Sequence, residues 1–269
     1  MTMTMIIIYT LIGVLIGILS SLFGFGGGFV VVPILYAFLP DSVPANYIMH
    51  TAIGTSLAVM IINSTNSTFN HAKKGNVKWP VFKLLVGYIA LGSLAGGLMA
   101  RFIDSEILRI AFIILLIYVI ISNIRGKSFT KEANEQTFRS PNPKSRAVIG
   151  TFIGFISTLL GVGGSVMTIP YLRNHGMRML HAVALATPLG LPIAIVGSIT
   201  YMIAGFQVEG MPNSTLGFIY LPALVGFSIG GALGVPMGRS WAQKIPDAIF
   251  SKVYLFLLMV VVVIMIIEK

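Results

Sequence analysis

Four long runs of apolar residues constrain the fold of this chain more than any other feature. They cover residues 5–23, 82–100, 107–122 and 253–267, and each is close to the roughly 20 residues with which an α-helix crosses a bilayer. Only 10% of the 269 residues are charged, whereas a soluble domain carries about 25%. Because so few charges cannot cover a surface that faces water, the sequence predicts an all-α integral membrane protein.

The sequence also repeats itself at a constant offset. GVLIGILSSLFGFGGGFVVVPIL at 13–35 aligns with GTFIGFISTLLGVGGSVMTIPYL at 150–172, so that its glycines, with one exception, and its proline coincide. Two weaker matches follow in the same order: TAIGTSLA at 51–58 with AVALATPLG at 182–190, and GSLAGGLMAR at 92–101 with GGALGVPMGR at 230–239. We therefore expect two homologous halves, 1–124 and 147–269, joined by a polar linker over 125–146.

Each half contains five apolar segments, and the second segment is short and contains a proline. The predicted segments are 5–23, 28–39, 48–69, 80–100 and 106–123 in the first half, and 147–160, 165–172, 181–204, 215–238 and 248–267 in the second. Whether the two short segments cross the membrane is left open. About ten helical segments are expected in all.

Basic residues are divided unequally between alternate loops. Fourteen of the 18 lie on the side of the linker, three lie on the side of both termini, and Lys83 lies just inside a helix near the linker side. The positive-inside rule then predicts a cytoplasmic linker and external termini in the cell membrane. Because the loop 71–78 is basic and its counterpart 206–214 carries only Glu209, the halves are predicted to be inverted-topology repeats, as in many secondary transporters.

Glycine-rich breaks interrupt both halves, as GFGGG at 24–28 and GVGGS at 161–165. A glycine turn that opens a helix presents unsatisfied N–H groups and the positive end of the helix dipole, which suit an anion. The alternatives are close helix packing or a plain tight turn; close packing is the interpretation for 92–97 and 226–234. A dinucleotide-binding loop is excluded, since Phe29 and Val166 replace the last glycine of that motif.

The apolar segments lack the groups that mark cation pathways. No Asp or Glu lies well within any of them, which disfavours a carboxylate-gated cation pump. No histidine pair has zinc-ligand spacing, and no nucleotide-binding or hydrolase motif is present. The sequence thus indicates no cofactor, no metal site and no enzyme. The net charge of +10 is assigned to cytoplasmic loops and not to nucleic-acid binding.

We therefore expect a small anion to be held by backbone N–H groups and neutral side chains at the glycine turns, with Gly24 and Gly161 as hinges. The candidate binding residues are Ser21, Gly24, Gly26, Gly27, Gly28, Thr55, Ser56, Thr158, Gly161, Gly163, Gly164, Ser165 and Thr187. Asn66 and His71 are candidates for gating or coupling. The alternative for Asn66 is hydrogen bonding between helices. The alternative for His71 is a histidine at the membrane interface without a functional role.

The duplicated motifs GFGGGFVVVPIL and GVGGSVMTIPYL, with TAIGTSLA and HAKKGNVKW at 71–79, resemble the TauE/SafE sulfite exporter family over essentially the whole chain. The resemblance implies a secondary carrier that exports sulfite, sulfoacetate or other organosulfonates. It implies functional roles for the turn glycines and for Thr55, Thr187, His71, Gly75 and Trp79. The sequence departs from the family pattern at Ser165, where a third glycine is common, and the second half lacks the His–Gly–Trp element.

Several alternatives stay open at this point. An anion channel, or a carrier of another small anion or of a metal ion, would fit the same architecture. The expected partners are a small anionic substrate and the lipid bilayer, and the coupling ion could be a proton or sodium. The sequence leaves the anion, the direction of transport and the oligomeric state undetermined.

Overall fold

The structure is a computed structural model that describes residues 2–23, 27–125, 142–242 and 247–267. These residues form ten α-helices: α1 (Thr2–Phe23), α2 (Gly28–Phe38), α3 (Ile48–Lys73), α4 (Trp79–Ala100), α5 (Ser105–Arg125), α6 (Pro143–Leu159), α7 (Ser165–Asn174), α8 (Met179–Gly205), α9 (Leu221–Ala242) and α10 (Asp247–Ile267). Two short strands, β1 (Thr215–Leu216) and β2 (Ile219–Tyr220), pair antiparallel. Six of the helices are long and apolar enough to cross a membrane, which confirms the predicted fold class.

Helix α6 begins earlier than the apolar pattern predicts. The Asn142 side chain accepts a hydrogen bond from the backbone N–H of Lys144 at 3.3 Å, and Pro143 occupies the first helical position. Both features stabilise a helix start. The last four residues of the predicted linker are therefore helical, and the linker residues 126–141 lie outside the described residues.

Helix α9 begins later than predicted, at Leu221 and not at 215. Residues 215–220 form the β1–β2 hairpin instead, with Gly217 in the left-handed region at φ 59°. The backbone N–H of Tyr220 donates to the Thr55 hydroxyl at 2.8 Å. Because this bond joins the hairpin to α3, Phe218, Ile219 and Tyr220 are buried without being helical, whereas Leu216 is exposed.

Glycines bring two pairs of long helices into backbone contact. Helix α1 lies parallel to α9, and α4 lies parallel to α6. The contacts that establish these directions are Gly226 with Tyr9, Gly234 with Val14, Gly92 with Thr151 and Gly96 with Phe155. At most of these glycines a Cβ would overlap the partner's backbone, so the packing interpretation of 92–97 and 226–234 is confirmed.

Helices α3 and α8 form the centre of the bundle. They lie antiparallel, with Gly54 against Tyr201 and Gly197 against Leu57. Their apolar spans are 67% and 72% buried, against 28–50% for the other four candidate spans. The remaining long helices therefore surround this central pair.

The short helices turn back toward the end of the bundle from which their preceding helices start. Gly27, just before α2, lies against Ile16, and the Tyr9 hydroxyl donates to Phe38 O at 2.8 Å. Gly164, just before α7, lies against Ile153 in the same way. With 11 and 10 residues, α2 and α7 are about 16 Å and 15 Å long, roughly half of the bilayer's hydrocarbon thickness.

The bundle thus has a termini end, which contains residues 2, 101–105 and 206–220, and a linker end, which contains residues 73–79, 143 and 174–179. Met49 N donates to Ser105 Oγ at 2.9 Å at the termini end, and His181 Nδ1 lies 2.9 Å from Asn76 O at the linker end. Among the described basic residues, only Arg101 and Arg109 lie at the termini end.

We expect Gly92→Ala to destabilise the protein, because its Cβ would overlap the carbonyl of Thr151. Overpacking of this kind costs about 1–3 kcal/mol, and the apparent Tm should fall. Gly87→Ala on the same helix is the control, since a Cβ there meets nothing within 4 Å. Equal Tm values for the two variants would contradict the packing role of Gly92.

Candidate functional site

The two glycine breaks are in direct contact. A Cβ on Gly28, the first residue of α2, would lie 2.8 Å from Gly161 O and 3.0 Å from Gly163 N. Both distances are shorter than a side chain allows, so glycine at position 28 permits this approach. The starts of α2 and α7, which belong to different halves of the chain, therefore share one location.

Ser56 of α3 joins the two breaks. Its hydroxyl lies 3.0 Å from Gly28 O and 3.1 Å from Gly161 O, so it shares its hydrogen between one carbonyl of each break. The side chain is fully buried. Ser56, predicted as an anion ligand, thus acts in this structure as a bridge between the breaks.

The contact lies between about a third and three fifths of the way along the central helix α3. Helix α3 has 26 residues, or about 39 Å, and Ser56 lies about 12 Å from its start. Asn63, about 22 Å along the same helix, reaches Gly27 with its side-chain nitrogen 3.5 Å from the position of a Cβ there. The site is therefore buried and lies away from both ends of the bundle.

The backbone of the second break leaves donors free. The Gly163 and Gly164 carbonyls accept the hydrogen bonds of Val166 N at 3.2 Å and Thr168 N at 2.8 Å. In the described part of the chain, the N–H groups of Gly163, Gly164 and Ser165 donate to no backbone carbonyl. Such N–H groups, with the partial positive charge of the helix start, can bind an anion.

Three buried hydroxyls flank the same break. Thr158, Ser165 and Thr168 are 0%, 2% and 0% exposed, and none of their hydroxyls has a hydrogen-bond partner in the described residues. Thr168 Oγ1 lies 3.7 Å from the position that a Cβ on Gly164 would take. An unpaired buried hydroxyl costs about 1–3 kcal/mol, so a ligand that accepts hydrogen bonds here would recover that cost.

Two predicted ligand threonines are already engaged within the protein. The Thr55 hydroxyl donates to Thr51 O at 2.6 Å and accepts from Tyr220 N at 2.8 Å. The Thr187 hydroxyl donates to Val183 O at 2.9 Å. Both threonines are buried, and because each has already donated its one hydroxyl hydrogen, neither has a donor left for a ligand.

The other predicted residues are spread along the bundle. Ser21 is half-buried near the end of α1, while its neighbour Ser20 is buried. Asn66 and His71 are half-buried on α3, about 15 Å and 22 Å beyond Ser56 toward the linker end. The structure therefore does not bring Asn66 and His71 to the glycine contact. Gly24 and Gly26 lie outside the described residues.

Sequence reasoning missed Thr168 and Asn63 as site residues. Thr168 lies three residues after Ser165, a spacing that puts both side chains on one side of α7, and Val31 occupies its counterpart in the first half. Asn63 belongs to a polar face with Ser56 that is visible in the sequence, but its contact with Gly27 depends on the fold. Only the second break carries hydroxyls at its helix start.

Comparisons with known proteins agree on one class of protein, the membrane transporter. The family model described as Sulfite exporter TauE/SafE matches residues 9–265. A probable membrane transporter protein of Haemophilus influenzae is 32% identical over 97% of this chain and 97% of its own length. Another of Methanocaldococcus jannaschii is 34% identical over 84% of this chain and 80% of its own length. No solved structure matches the chain.

We expect Ser56→Ala to lower the apparent Tm, because two buried carbonyls lose their shared donor. The loss should be about 1–3 kcal/mol. Thr65→Ala is the control: Thr65 donates to Ile61 O on the exposed side of the same helix. Thermal unfolding of the purified variants measures the difference, and an unchanged Tm for Ser56→Ala would show that the bridge does not stabilise the glycine contact.

Proposed function

Because the chain belongs to the TauE/SafE sulfite exporter family, and is a multi-pass membrane transporter and not an enzyme, we propose that it carries small sulfur-containing anions. Sulfite, sulfoacetate and other organosulfonates are the substrate class, and the cell membrane is the location. The observation on which the proposal depends is the start of α7, where unpaired N–H groups and hydroxyls are buried at mid-depth.

The chemistry of that location suits an oxyanion. Oxygens on sulfur accept hydrogen bonds, and the N–H groups of Gly163, Gly164 and Ser165 could donate to them together with the Ser165 and Thr168 hydroxyls. The helix dipole adds a partial positive charge of about half a unit. No Asp or Glu is among the buried residues described, so no carboxylate competes for these donors. Neutral donors also permit release, which a buried arginine would hinder.

The first glycine break would form the opposite wall of the site. Gly28 approaches Gly161 and Gly163 so closely that an anion at α7 also lies beside α2. Among the other predicted residues, Ser56 would hold the breaks together, while Ser21, Thr55 and Thr187 would support the surrounding helices. Gly24 and Gly26 complete the first break in the sequence.

We further propose that 1–124 and 147–269 are inverted repeats that move by alternating access, with 125–146 as the linker. Reciprocal packing supports this: α1 contacts α9, α6 contacts α4, and α3 contacts α8. In addition, α2 follows a helix that enters from the termini end, whereas α7 follows one that enters from the linker end. Gly161, at φ 65°, is a hinge candidate in this scheme.

The concentration of basic residues at the linker end supports a cytoplasmic linker and external termini. In that orientation the membrane potential favours anion exit by about 2.3 kcal/mol per charge per 100 mV, which agrees with export. Coupling to a proton or to sodium could reverse the direction. Asn66 and His71, between the site and the linker end, are the candidates for such coupling or gating.

Anion binding to the purified protein is the direct test. We expect sulfite, sulfoacetate or isethionate to raise the apparent Tm, since an anion at 100 times its Kd stabilises by about 2.7 kcal/mol. Sulfate and chloride serve as comparison anions. The double variant Ser165→Ala/Thr168→Val should lose the shift, because it removes two of the three free hydroxyls, the two that α7 carries.

Ser93→Ala is the matched control, since Ser93 is equally buried but already donates to Ile89 O at 2.7 Å. It should keep the wild-type shift. A shift with a cation or neutral solute and with no anion would contradict the proposed substrate class. A sulfonate shift that survives in the double variant would place the anion elsewhere in the protein.

Transport in proteoliposomes tests the mechanism separately from binding. A carrier should show saturable flux and counterflow, in which unlabelled sulfonate on one side drives uptake of labelled sulfonate from the other. Both follow from alternating access, because the site faces one side at a time. Flux that rises linearly with concentration and lacks counterflow would instead indicate an anion channel.

A further inference from the structure

A groove of about 790 Å³ opens between α4, α6 and α8 on the outer surface of the bundle. Its walls are apolar and include Leu84, Leu91 and Val196. Leu84 and Leu91 are 39% and 65% exposed, and they belong to a membrane-spanning helix, so the groove faces lipid. Gly87 forms part of its floor, where a Cβ would meet nothing within 4 Å.

The end of this groove that lies toward the linker is basic. Lys83 and Arg146 both line it. Arg146 is half-buried, and its Nε is buried with no hydrogen-bond partner in the described residues. No carboxylate is among the described residues that line the groove. Two cations, one of them partly desolvated, therefore line the groove without a negative partner among its described walls.

The depth of the two cations matches the membrane interface. Lys83 and Arg146 lie about 6 Å and 5 Å from the starts of α4 and α6, at the linker end of both helices. The apolar wall continues from Leu84 to Leu94, about 15 Å farther into the bilayer. The groove thus has a basic end at the interface and an apolar stretch whose length is roughly half of the bilayer's hydrocarbon thickness.

We propose that this groove binds one anionic phospholipid in the leaflet at the linker end. The phosphate lies between the Arg146 guanidinium and the Lys83 ammonium, since a guanidinium matches the paired oxygens of a phosphate. An acyl chain follows the apolar wall past Gly87. Charge complementarity selects the headgroup, because a zwitterionic lipid adds a cation next to two that are already present.

The repeated sequence indicates that the site is single. In the alignment that places Gly13 on Gly150, Arg146 corresponds to Tyr9, and in the one that places Arg101 on Arg239, Lys83 corresponds to Leu221. Neither counterpart carries a charge. The related surface of α9 and α1 therefore lacks the basic pair. We expect one bound lipid per chain, and its binding should not depend on which anion is transported.

Native mass spectrometry and thermal unfolding of the purified protein test the proposal, with phosphatidylglycerol and phosphatidylcholine of matched acyl chains. We expect one phosphatidylglycerol per chain and a larger Tm increase than with phosphatidylcholine. Lys83→Gln/Arg146→Gln should lower the preference for phosphatidylglycerol at least about tenfold, since each basic side chain near an anionic surface contributes about fivefold in affinity.

Lys74→Gln/Lys144→Gln is the matched control, because it removes two charges at the same end that do not line the groove. It should keep the preference. Gly87→Phe should abolish the bound lipid with both charges intact, by filling the floor of the groove. The Tm of every variant in phosphatidylcholine alone reports whether it folds.

Equal binding of the two lipids, or a preference that survives in Lys83→Gln/Arg146→Gln, would overturn the proposal. A Gly87→Phe variant that still binds phosphatidylglycerol would place the lipid outside the groove and would also overturn it. If Gly87→Phe instead converts a dimer into a monomer while lipid binding stays unchanged, the proposal is also overturned. The groove is then the contact surface for a second copy of the chain.

Discussion

The arrangement of this protein depends on satisfying the backbone of two interrupted helices in an environment without water. Free N–H and C=O groups cost several kcal/mol in hydrocarbon, so helices that start at mid-depth must start inside protein. The helix that follows each break begins in contact with the other break. The Ser56 hydroxyl shares its one hydrogen between a carbonyl of each break. The surrounding helices isolate this contact from lipid, and that isolation suits it to the proposed anion.

The two breaks are alike in backbone position but differ in chemistry. Gly28 has no side chain and lies against the second break, whereas its counterpart Ser165 brings a hydroxyl that finds no partner in the described residues. Three residues farther, Val31 corresponds to Thr168. The first break therefore provides close packing and the second provides hydrogen-bond donors, and the proposed anion position follows from that division.

Much of the fold could be predicted from the sequence because the bilayer allows few solutions. Apolar runs of the right length predict helices, and the repeated glycines predict close contacts. The hairpin at 215–220 could not be predicted in this way, since an apolar run looks the same whether it forms a buried strand or a helix. The bond between Tyr220 and Thr55 joins distant parts of the chain, so it depends on packing that no local pattern records. Thr168 could instead have been recognised from the sequence, since it lies three residues after Ser165 and so on the same side of α7.

The crosswise pairing of helices has a consequence for synthesis of the chain. The glycine face of α1 is completed by α9, which belongs to the second half of the chain. Helix α4 likewise packs against a helix of the second half, α6. Each early helix must therefore remain in the bilayer with its small-residue face open to lipid until its partner is inserted. The first half cannot complete its packing alone, so its assembly is finished only after helices of the second half have been inserted.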